Sequence, residues 1–213
     1  MSLYQNRDQL KNLTVKVGII FSKLGLSPNQ WTFLTILPAI ATAYFIIREN
    51  FLLAAAAFIL AAFFDLIDGS VARVTGRTTR LGAYFDTMMD RYVEALIIFS
   101  LFFLKLPEIE LPYIHLSVPM QAWLLLYLFG GLMTTYAKAA AKEKNIFKEK
   151  ELKGGTIERP ERLIMLFLGL LLAHFDLLYL GAIIIILAVL CNVTALERIY
   201  IAYKEETKNK KEL

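Results

Sequence analysis

Long uncharged, apolar stretches limit what this chain of 213 residues can fold into more than any other feature of its sequence. They cover 31–47, 50–64, 118–137 and 177–196. Two of them reach the roughly 20 residues with which an α-helix crosses the hydrocarbon core of a bilayer. Because lipid offers backbone groups no hydrogen-bond partner, segments of this kind are helical in a membrane. The sequence therefore predicts membrane-spanning helices.

Composition excludes several other classes of protein. Hydrophobic residues make up 57% of the chain and the mean hydropathy is +0.54, which is too apolar for a disordered chain. The single cysteine, Cys191, excludes a disulfide framework and a thiolate-rich metal site. A net charge of +4 is compatible with nucleic acid, but the apolar excess favours an anionic membrane surface. We therefore predict membrane lipids as partners and no nucleic acid.

The apolar stretches and their flanks predict an all-α integral membrane protein with six transmembrane helices, preceded by an N-terminal interfacial amphipathic helix. We expect a single membrane domain over 1–213, with the interfacial helix at 1–26, a six-helix bundle at 29–203 and a basic tail at 204–213. The predicted transmembrane helices cover 29–48, 51–75, 80–105, 119–144, 159–175 and 177–203.

The N-terminal segment differs from the spans because it mixes apolar and basic residues at helical spacing. Lys11, Lys16 and Lys23 lie on other faces than the apolar residues, which is typical of a helix in the membrane interface. An amphipathic helix packed on a soluble core is the alternative, and the rest of the chain offers little such core. The apolar positions are Leu10, Leu13, Val17, Ile20, Phe21 and Leu24.

The distribution of basic residues predicts the orientation in the membrane. Of the 23 lysines and arginines, only Arg48 and Lys105 fall in the two loops predicted on the far side. The others, apart from Arg91 within a helix, lie in the N-terminus, the 73–80 turn, the 138–162 region and the tail. Because basic loops stay on the cytoplasmic side, we expect both termini and the 73–80 turn to face the cytoplasm.

Acidic residues interrupt the apolar pattern in the second and third predicted helices. Each charge near the centre of a bilayer costs about 2.5–3.5 kcal/mol, so a cluster implies a polar cavity and a compensating ligand. Spacings of three and four residues place the acids on one face of each helix. If the two helices are antiparallel neighbours, these faces meet and the carboxylates converge. The acids are Asp65, Asp68, Asp86, Asp90 and Glu94.

Converging carboxylates need either cations or protons, because several anions cannot stay ionised together in a low dielectric. Oxygen ligands favour Mg²⁺ or Mn²⁺ over zinc or copper, and two such ions about 3.5–4 Å apart are a common arrangement for phosphoryl transfer. A cation transporter and a non-catalytic membrane scaffold are the alternatives. Interrupted helices or inverted repeats would favour the transporter, and the sequence has neither in convincing form.

These acids belong to a long motif with fixed gaps. Asp65, Asp68, Gly69, Ala72, Arg73, Gly82, Asp86 and Asp90 fit the pattern D-x2-D-G-x2-A-R-x8-G-x3-D-x3-D. The chain resembles the CDP-alcohol phosphotransferase family, also called the CDP-alcohol phosphatidyltransferase family. So many fixed positions make the resemblance specific, and the six predicted helices extend it to nearly the whole chain.

The resemblance implies a role for each matched residue. Asp65, Asp68 and Asp86 would ligate one metal ion. Asp86 would bridge to a second ion that Asp90 also contacts, and Asp90 would be the catalytic base for the acceptor hydroxyl. The resemblance further implies two Mg²⁺ (or Mn²⁺) ions per site, a CDP-lipid donor, release of CMP and a homodimer with its site open to the cytoplasm. The CDP-alcohol would contact Pro28, Asn29, Gln30, Trp31, Asp65, Gly69, Arg73 and Thr79.

The acceptor must be sought in the C-terminal half of the chain. Lys138 and Arg162 lie at two predicted cytoplasmic helix ends and could bind the phosphate of a phosphorylated acceptor, although the positive-inside rule alone also explains such charges. The segment 158–164 resembles the inositol-phosphate-using branch of the family, which makes phosphatidylinositol phosphate or archaetidylinositol phosphate. Ala140 departs from that branch, where an arginine is expected. Inositol 1-phosphate is the expected acceptor. Glycerol 3-phosphate, serine and CDP-inositol-dependent di-inositol phosphate synthesis are the alternatives.

Overall fold

The computed structural model describes residues 14–107, 118–147, 152 and 154–209, and all regular structure within them is helical. The predicted all-α class is confirmed. The chain divides into two compact units, Met1–Leu101 and Phe102–Leu213, and each is described by itself.

The first unit holds the predicted interfacial segment and the first three predicted spans. Residues 1–13 lie outside the described part of the chain, and the segment after them is helical. The first predicted span is divided at Thr35, because Pro38 has no N–H to bond the carbonyl of Leu34 and its ring crowds that turn. The helices are α1 (14–22), α2 (Pro28–Leu34), α3 (Ile36–Ile47), α4 (Phe51–Val74) and α5 (Arg80–Leu101).

Helices α2 and α3 hold α4 and α5 in place. Both α2 and α3 pack against α4 and against α5, whereas the backbones of α4 and α5 scarcely approach one another in the described part of the chain. The two acid-bearing helices are therefore neighbours with a gap between their backbones. Side chains from both helices can reach into that gap.

The second unit consists of α6 (Met120–Glu143), α7 (Arg159–Ala173) and α8 (Leu177–Asn209). Helices α6 and α8 approach closely at Gly130, where an added Cβ would lie 2.9 Å from the backbone nitrogen of Asn192. The Nδ2 atom of Asn192 donates hydrogen bonds to the carbonyls of Leu126 (2.9 Å) and Ala188 (2.8 Å). Small residues and such polar bridges are how helices associate in an apolar environment.

Helix boundaries agree with the predicted ranges to within a few residues except at the end of α8. That helix continues to Asn209, whereas the predicted helix ended at 203 and a basic tail was expected from 204. The reason is that lysine and glutamate, which fill this stretch, are good helix formers in water. Residues 210–213 lie outside the described part.

Within the described residues, four helical segments are long and apolar enough to cross a membrane: Pro28–Ile47, Phe51–Val74, Met120–Glu143 and Leu177–Lys208. The remaining two predicted spans correspond to α5, which carries the second set of acids, and to α7, which has only 15 residues. The number of six spans and the interfacial position of α1 therefore stay predictions.

Candidate active site

The turn between α4 and α5 returns the chain so that the second set of acids comes back beside the first. Helix α4 ends at Val74, and Gly76 follows with φ of +64°, a left-handed conformation that glycine adopts without strain. Helix α5 begins at Arg80, and the hydroxyl of Thr79 accepts a hydrogen bond of 2.9 Å from the N–H of Gly82. This bond satisfies one of the free donors at the start of α5.

Carboxylates from both helices meet in the gap between α4 and α5. Asp65, Asp86 and Asp90 each offer one oxygen, and these oxygens lie within 4.8 Å of one another. All three residues are partly buried. The convergence expected from the spacing of the acids is therefore present in the structure for these three.

Asp68 lies on the same helix as Asp65, one turn further on, and is the most buried of the four aspartates. It is 4% exposed, and its Oδ2 atom has no hydrogen-bond partner among the described residues. A buried carboxylate oxygen without a donor needs a cation or a proton. Asp68 is not among the three acids whose oxygens lie within 4.8 Å of one another, although Asp65 and Asp86 are close enough to repel its charge. An unbonded carboxylate oxygen beside such acids suits a divalent metal ion, whose preferred ligands are carboxylates.

A cavity of about 140 Å³ opens beside the aspartates. Helices α2, α4 and α5 and the turn between α4 and α5 all contribute to its walls. Five of the residues that the resemblance assigns to the donor or the metal line it. These five residues and the motif glycine Gly82 line the cavity together; the five are Pro28, Asn29, Asp68, Thr79 and Asp86.

Gly82 keeps this cavity open. An added Cβ would lie 3.0 Å from the Thr79 hydroxyl oxygen and 3.4 Å from Oδ1 of Asn29, which is closer than most such contacts. A larger residue would therefore push the walls apart or fill part of the cavity. This explains physically why the motif has a glycine at this position.

Gly69 and Arg73 lie against one another on α4. An added Cβ at Gly69 would lie 3.4 Å from Nη1 of Arg73, and Nη2 of Arg73 donates to the hydroxyl of Ser70 at 3.3 Å. The arginine side chain thus folds back along its own helix and remains exposed. Its guanidinium group is available to a phosphate.

Gln30 and Trp31 make contacts that fix the start of α2. The N–H of Ser27 donates to Oε1 of Gln30 at 2.7 Å, which forms half of a capping box. Trp31 is 5% exposed and packs edge-on against Phe21 and Phe64 at ring distances of 5.4 and 5.8 Å. These contacts position the neighbouring Pro28 and Asn29 at the cavity, so Gln30 and Trp31 can act on a donor through the placement of α2.

Glu94 continues the acidic face of α5 and forms an ion pair. Its Oε2 atom lies 2.6 Å from Nη1 of Arg91, and Glu94 is buried. The pair accounts for two of the charges that interrupt the apolar pattern of this helix.

The two residues predicted for the acceptor phosphate differ in burial. Lys138 is exposed on α6. Arg162, on the first turn of α7, is 1% exposed, and its Nη1 atom donates to the hydroxyl of Thr134 at 2.9 Å.

Arg198 is a residue that sequence analysis missed. It is 9% exposed, its Nη1 atom donates to the carbonyl of Thr134 at 2.6 Å, and its Nε atom donates to the carbonyl of Gly154 at 3.1 Å. Thr134 thus joins Arg162 and Arg198, which lie on different helices. The sequence signal was the position of Arg198 just after the apolar stretch 177–196, where the positive-inside rule alone accounts for a basic residue.

Comparison with known proteins adds independent information. The family model described as CDP-alcohol phosphatidyltransferase matches residues 25–194. The archaetidylinositol phosphate synthase of Pyrococcus horikoshii is 28% identical over 198 residues, which cover 93% of this chain and 95% of that protein.

Solved structures of a second relative have the same fold. The phosphatidylinositol phosphate synthase of Mycobacterium tuberculosis with CDP-DAG bound has a TM-score of 0.72 and 25% identity, over 90% of this chain and 94% of that one. The same enzyme in complex with manganese and citrate has a TM-score of 0.69 and 25% identity, over 89% of this chain and 88% of that one.

The family match covers most of the chain and includes every residue of the motif. The predicted resemblance is therefore confirmed. The enzyme interpretation replaces the transporter and scaffold alternatives, and the long apolar helices are those of a multi-pass membrane protein. The chain belongs to the CDP-alcohol phosphatidyltransferase family of transferases.

Proposed function

We propose that this enzyme transfers the phosphatidyl or archaetidyl group of a CDP-alcohol lipid to a hydroxyl of a phosphorylated polyol, with inositol 1-phosphate as the acceptor, and releases CMP. The observation that carries the proposal is the meeting of carboxylates from α4 and α5 beside the cavity of the first unit. The similarity to two inositol phosphate lipid synthases favours this acceptor.

The donor is assigned to the cavity and its surroundings. Pro28, Asn29 and Thr79 line the cavity, and the exposed guanidinium of Arg73 is available for the diphosphate. Asp65 and Gly69 complete the matched donor set on α4, and Gln30 and Trp31 hold the start of α2. A bound CDP-DAG in a relative with the same fold agrees with a CDP-lipid donor.

The metal is assigned to the four aspartates. We propose two Mg²⁺ or Mn²⁺ ions, one held by Asp65, Asp68 and Asp86 and the other by Asp86 and Asp90. The close approach of the carboxylate oxygens and the buried Oδ2 of Asp68 support this assignment, as does the manganese in a relative. When bound, such ions neutralise the pyrophosphate oxygens on which charge develops.

The chemical step needs one base. Asp90 takes the proton of the acceptor hydroxyl, and the hydroxyl oxygen attacks the β-phosphorus of the donor. The bond between the β-phosphorus and the bridging oxygen breaks, and that oxygen leaves with CMP. A new phosphodiester joins the lipid phosphate to the polyol, so that the number of phosphate groups is unchanged.

The acceptor phosphate is assigned to the basic residues of the second unit. Arg162 and Arg198 bring two guanidinium groups to a single threonine, and Lys138 lies one turn further along the same helix as that threonine. Two cations placed this close repel one another, and anions beside them offset that repulsion. Glu158 is one such anion, because it attracts the charge of Arg198. The phosphate of a phosphorylated polyol would add a second, and serine and unphosphorylated inositol carry no phosphate.

We further propose six membrane spans, with both termini and the site on the cytoplasmic side, one membrane domain over 1–213 and a homodimer. The basic turns and ends support the orientation. The chain's single cysteine, Cys191, is buried, so cysteines introduced one at a time can be labelled selectively. In sealed vesicles of known orientation, Lys208→Cys should react with an impermeant maleimide from the cytoplasmic side and Glu49→Cys from the other side. The reverse pattern would contradict this topology.

The function is tested by the release of CMP from the purified enzyme. The enzyme is incubated with a CDP-lipid and Mg²⁺, and inositol 1-phosphate, glycerol 3-phosphate, serine and inositol are offered in separate reactions. CDP-inositol replaces the lipid in a further reaction. We expect CMP release with inositol 1-phosphate that a chelator abolishes. Release with serine alone, or with CDP-inositol alone, would contradict the proposal.

A further inference from the structure

The segment that leads into α7 is held by three side chains of α8. Thr194, Glu197 and Arg198 occupy one face of that helix, at spacings of three and four residues. Each of them bonds to the backbone of the segment 154–157. Helix α7 begins at Arg159, two residues after the last of these contacts.

Glu197 makes the shortest of these contacts. Its Oε2 atom accepts the N–H of Thr156 at 2.6 Å, and its Oε1 atom accepts the hydroxyl of the same threonine at 2.7 Å. Two bonds to a charged acceptor are stronger than two between neutral groups. We call this paired contact between Glu197 and Thr156 the Glu197 clamp.

The neighbouring contacts fix the register of the segment on α8. The N–H of Ile157 donates to the hydroxyl of Thr194 at 3.0 Å, and Nε of Arg198 donates to the carbonyl of Gly154 at 3.1 Å. At Gly155, where φ is +130°, an added Cβ would lie 2.5 Å from Cγ2 of Thr194. The backbone therefore lies directly on α8, with no room for a side chain between them.

Both buried arginines depend on this segment for their relative position. Arg198 bonds the segment directly, while Arg162 follows it on the first turn of α7. Both guanidinium groups bond to Thr134, one from α7 and the other from α8, and the segment 154–157 links these two helices. A shift of the segment along α8 would change the distance between the two guanidinium groups. Both groups would remain charged, so only their spacing would be altered.

We propose that Glu197 is a positioning residue for the acceptor phosphate. Through the Glu197 clamp it fixes the start of α7 on α8, and so sets the spacing of Arg162 and Arg198. Glu197 itself, being an anion, does not touch the phosphate. The inference rests on the proposed function, because it needs an acceptor that carries a phosphate.

A purely structural role predicts a different set of kinetic changes. If Glu197 only stabilised the fold, its loss would lower the amount of active enzyme and leave both KM values as they were. If its charge took part in the reaction, glutamine could not replace it. As a positioning residue it can be replaced, because a glutamine oxygen accepts the N–H of Thr156 while the amide donates to the threonine hydroxyl.

The test compares steady-state kinetics of the full-length wild type with Glu197→Ala, Glu197→Gln and Thr156→Val, using inositol 1-phosphate and a CDP-lipid. We expect Glu197→Ala to raise KM for inositol 1-phosphate about tenfold, with kcat and the donor KM changed about twofold or less. Glu197→Gln should restore most of the acceptor KM. Glu205→Ala, on the same helix, serves as the matched control and should match the wild type.

Three results would overturn the inference while leaving the proposed function intact: an unchanged acceptor KM in Glu197→Ala, an equal rise in the donor KM, or no rescue by Glu197→Gln. If Glu197→Ala does not fold, Thr156→Val decides, because it removes one of the two bonds and keeps the side-chain shape. That variant should raise the acceptor KM severalfold, and an unchanged value would overturn the inference. A wild type that turns over neither inositol 1-phosphate nor glycerol 3-phosphate would overturn the proposed function and the clamp together.

Discussion

The first unit brings acidic side chains together and the second brings basic side chains together, and the two units do so in different ways. In the first unit, Asp65, Asp86 and Asp90 from one helical hairpin meet in the gap between α4 and α5, and α2 and α3 pack against both of these helices. In the second, arginines from α7 and α8 meet on a threonine of α6. The acids come from within 26 residues of sequence, from Asp65 to Asp90, whereas Thr134 and Arg198 are 64 positions apart. Local helical spacing is therefore enough to reveal the first site, and tertiary packing is needed to reveal the second.

The aspartates of the first unit and the arginines of the second have different tasks in the proposed function. In that function, the carboxylates would bind metal and move a proton, so changes there should affect the chemical step. The guanidinium groups would bind the acceptor phosphate, so changes there should affect the KM of one substrate. The predictions that follow test this division, and they start with the change of largest expected effect.

Replacing the proposed base should nearly abolish turnover. Asp90→Asn keeps the size of the side chain and removes its ability to take a proton, so kcat should fall by about 10²–10⁴-fold. The measurement is CMP release at saturating substrates. Asp176→Asn is the matched control, because the side chain of Asp176 accepts the N–H of Leu178 at the start of α8 and asparagine caps equally well. Turnover of Asp90→Asn at the wild-type rate would remove Asp90 from the mechanism.

Truncating Arg198 should raise the KM of the acceptor more than it lowers kcat. Arg198→Ala removes a buried cation and two hydrogen bonds, so KM for inositol 1-phosphate should rise about 10–100-fold while the donor KM stays near its wild-type value. Initial rates at varied acceptor concentration measure this, with Arg48→Ala as the control. A rise in the donor KM alone would show that the division between the two units is wrong.

Filling the donor cavity should have a moderate effect on the KM of the donor and none on the KM of the acceptor. Gly82→Ala places a methyl group 3.0 Å from the hydroxyl oxygen of Thr79, so KM for the CDP-lipid should rise by about three- to tenfold with the acceptor KM unchanged. Initial rates at varied donor concentration are the measurement. An unchanged donor KM would place the nucleotide elsewhere.

The smallest effect on chemistry is expected where α1 meets α4. An added Cβ at Gly18 would lie 2.6 Å from the carbonyl oxygen of Ser70 and from Cγ2 of Val74. Gly18→Ala should therefore destabilise the first unit by about 1–3 kcal/mol, which lowers Tm, while kcat of the folded enzyme changes little. Thermal unfolding in detergent measures this. An unchanged Tm would mean that α1 does not lie against α4.

The parts of the fold that could be predicted from the sequence are those with local causes. Apolar stretches gave the helix positions, and the spacing of the aspartates gave their convergence. The break at Thr35 also has a local cause, since Pro38 removes a helical hydrogen bond. The prediction of one continuous helix over 29–48 was wrong at this point. The close approach of Gly18 to Ser70 and the meeting of Arg162 and Arg198 at Thr134 depend on how helices pack, and no local pattern encodes them.

The central claim is that carboxylates of α4 and α5 jointly hold divalent metal, and direct binding of Mn²⁺ tests it. Purified wild-type enzyme in detergent is titrated with Mn²⁺, and the free ion is followed by electron paramagnetic resonance. The same titration is made with Asp86→Asn and with Asp176→Asn. We expect saturable binding by the wild type and Asp176→Asn, and strongly weakened binding by Asp86→Asn. Equal binding by all three proteins, or no saturable binding by the wild type, would contradict the account.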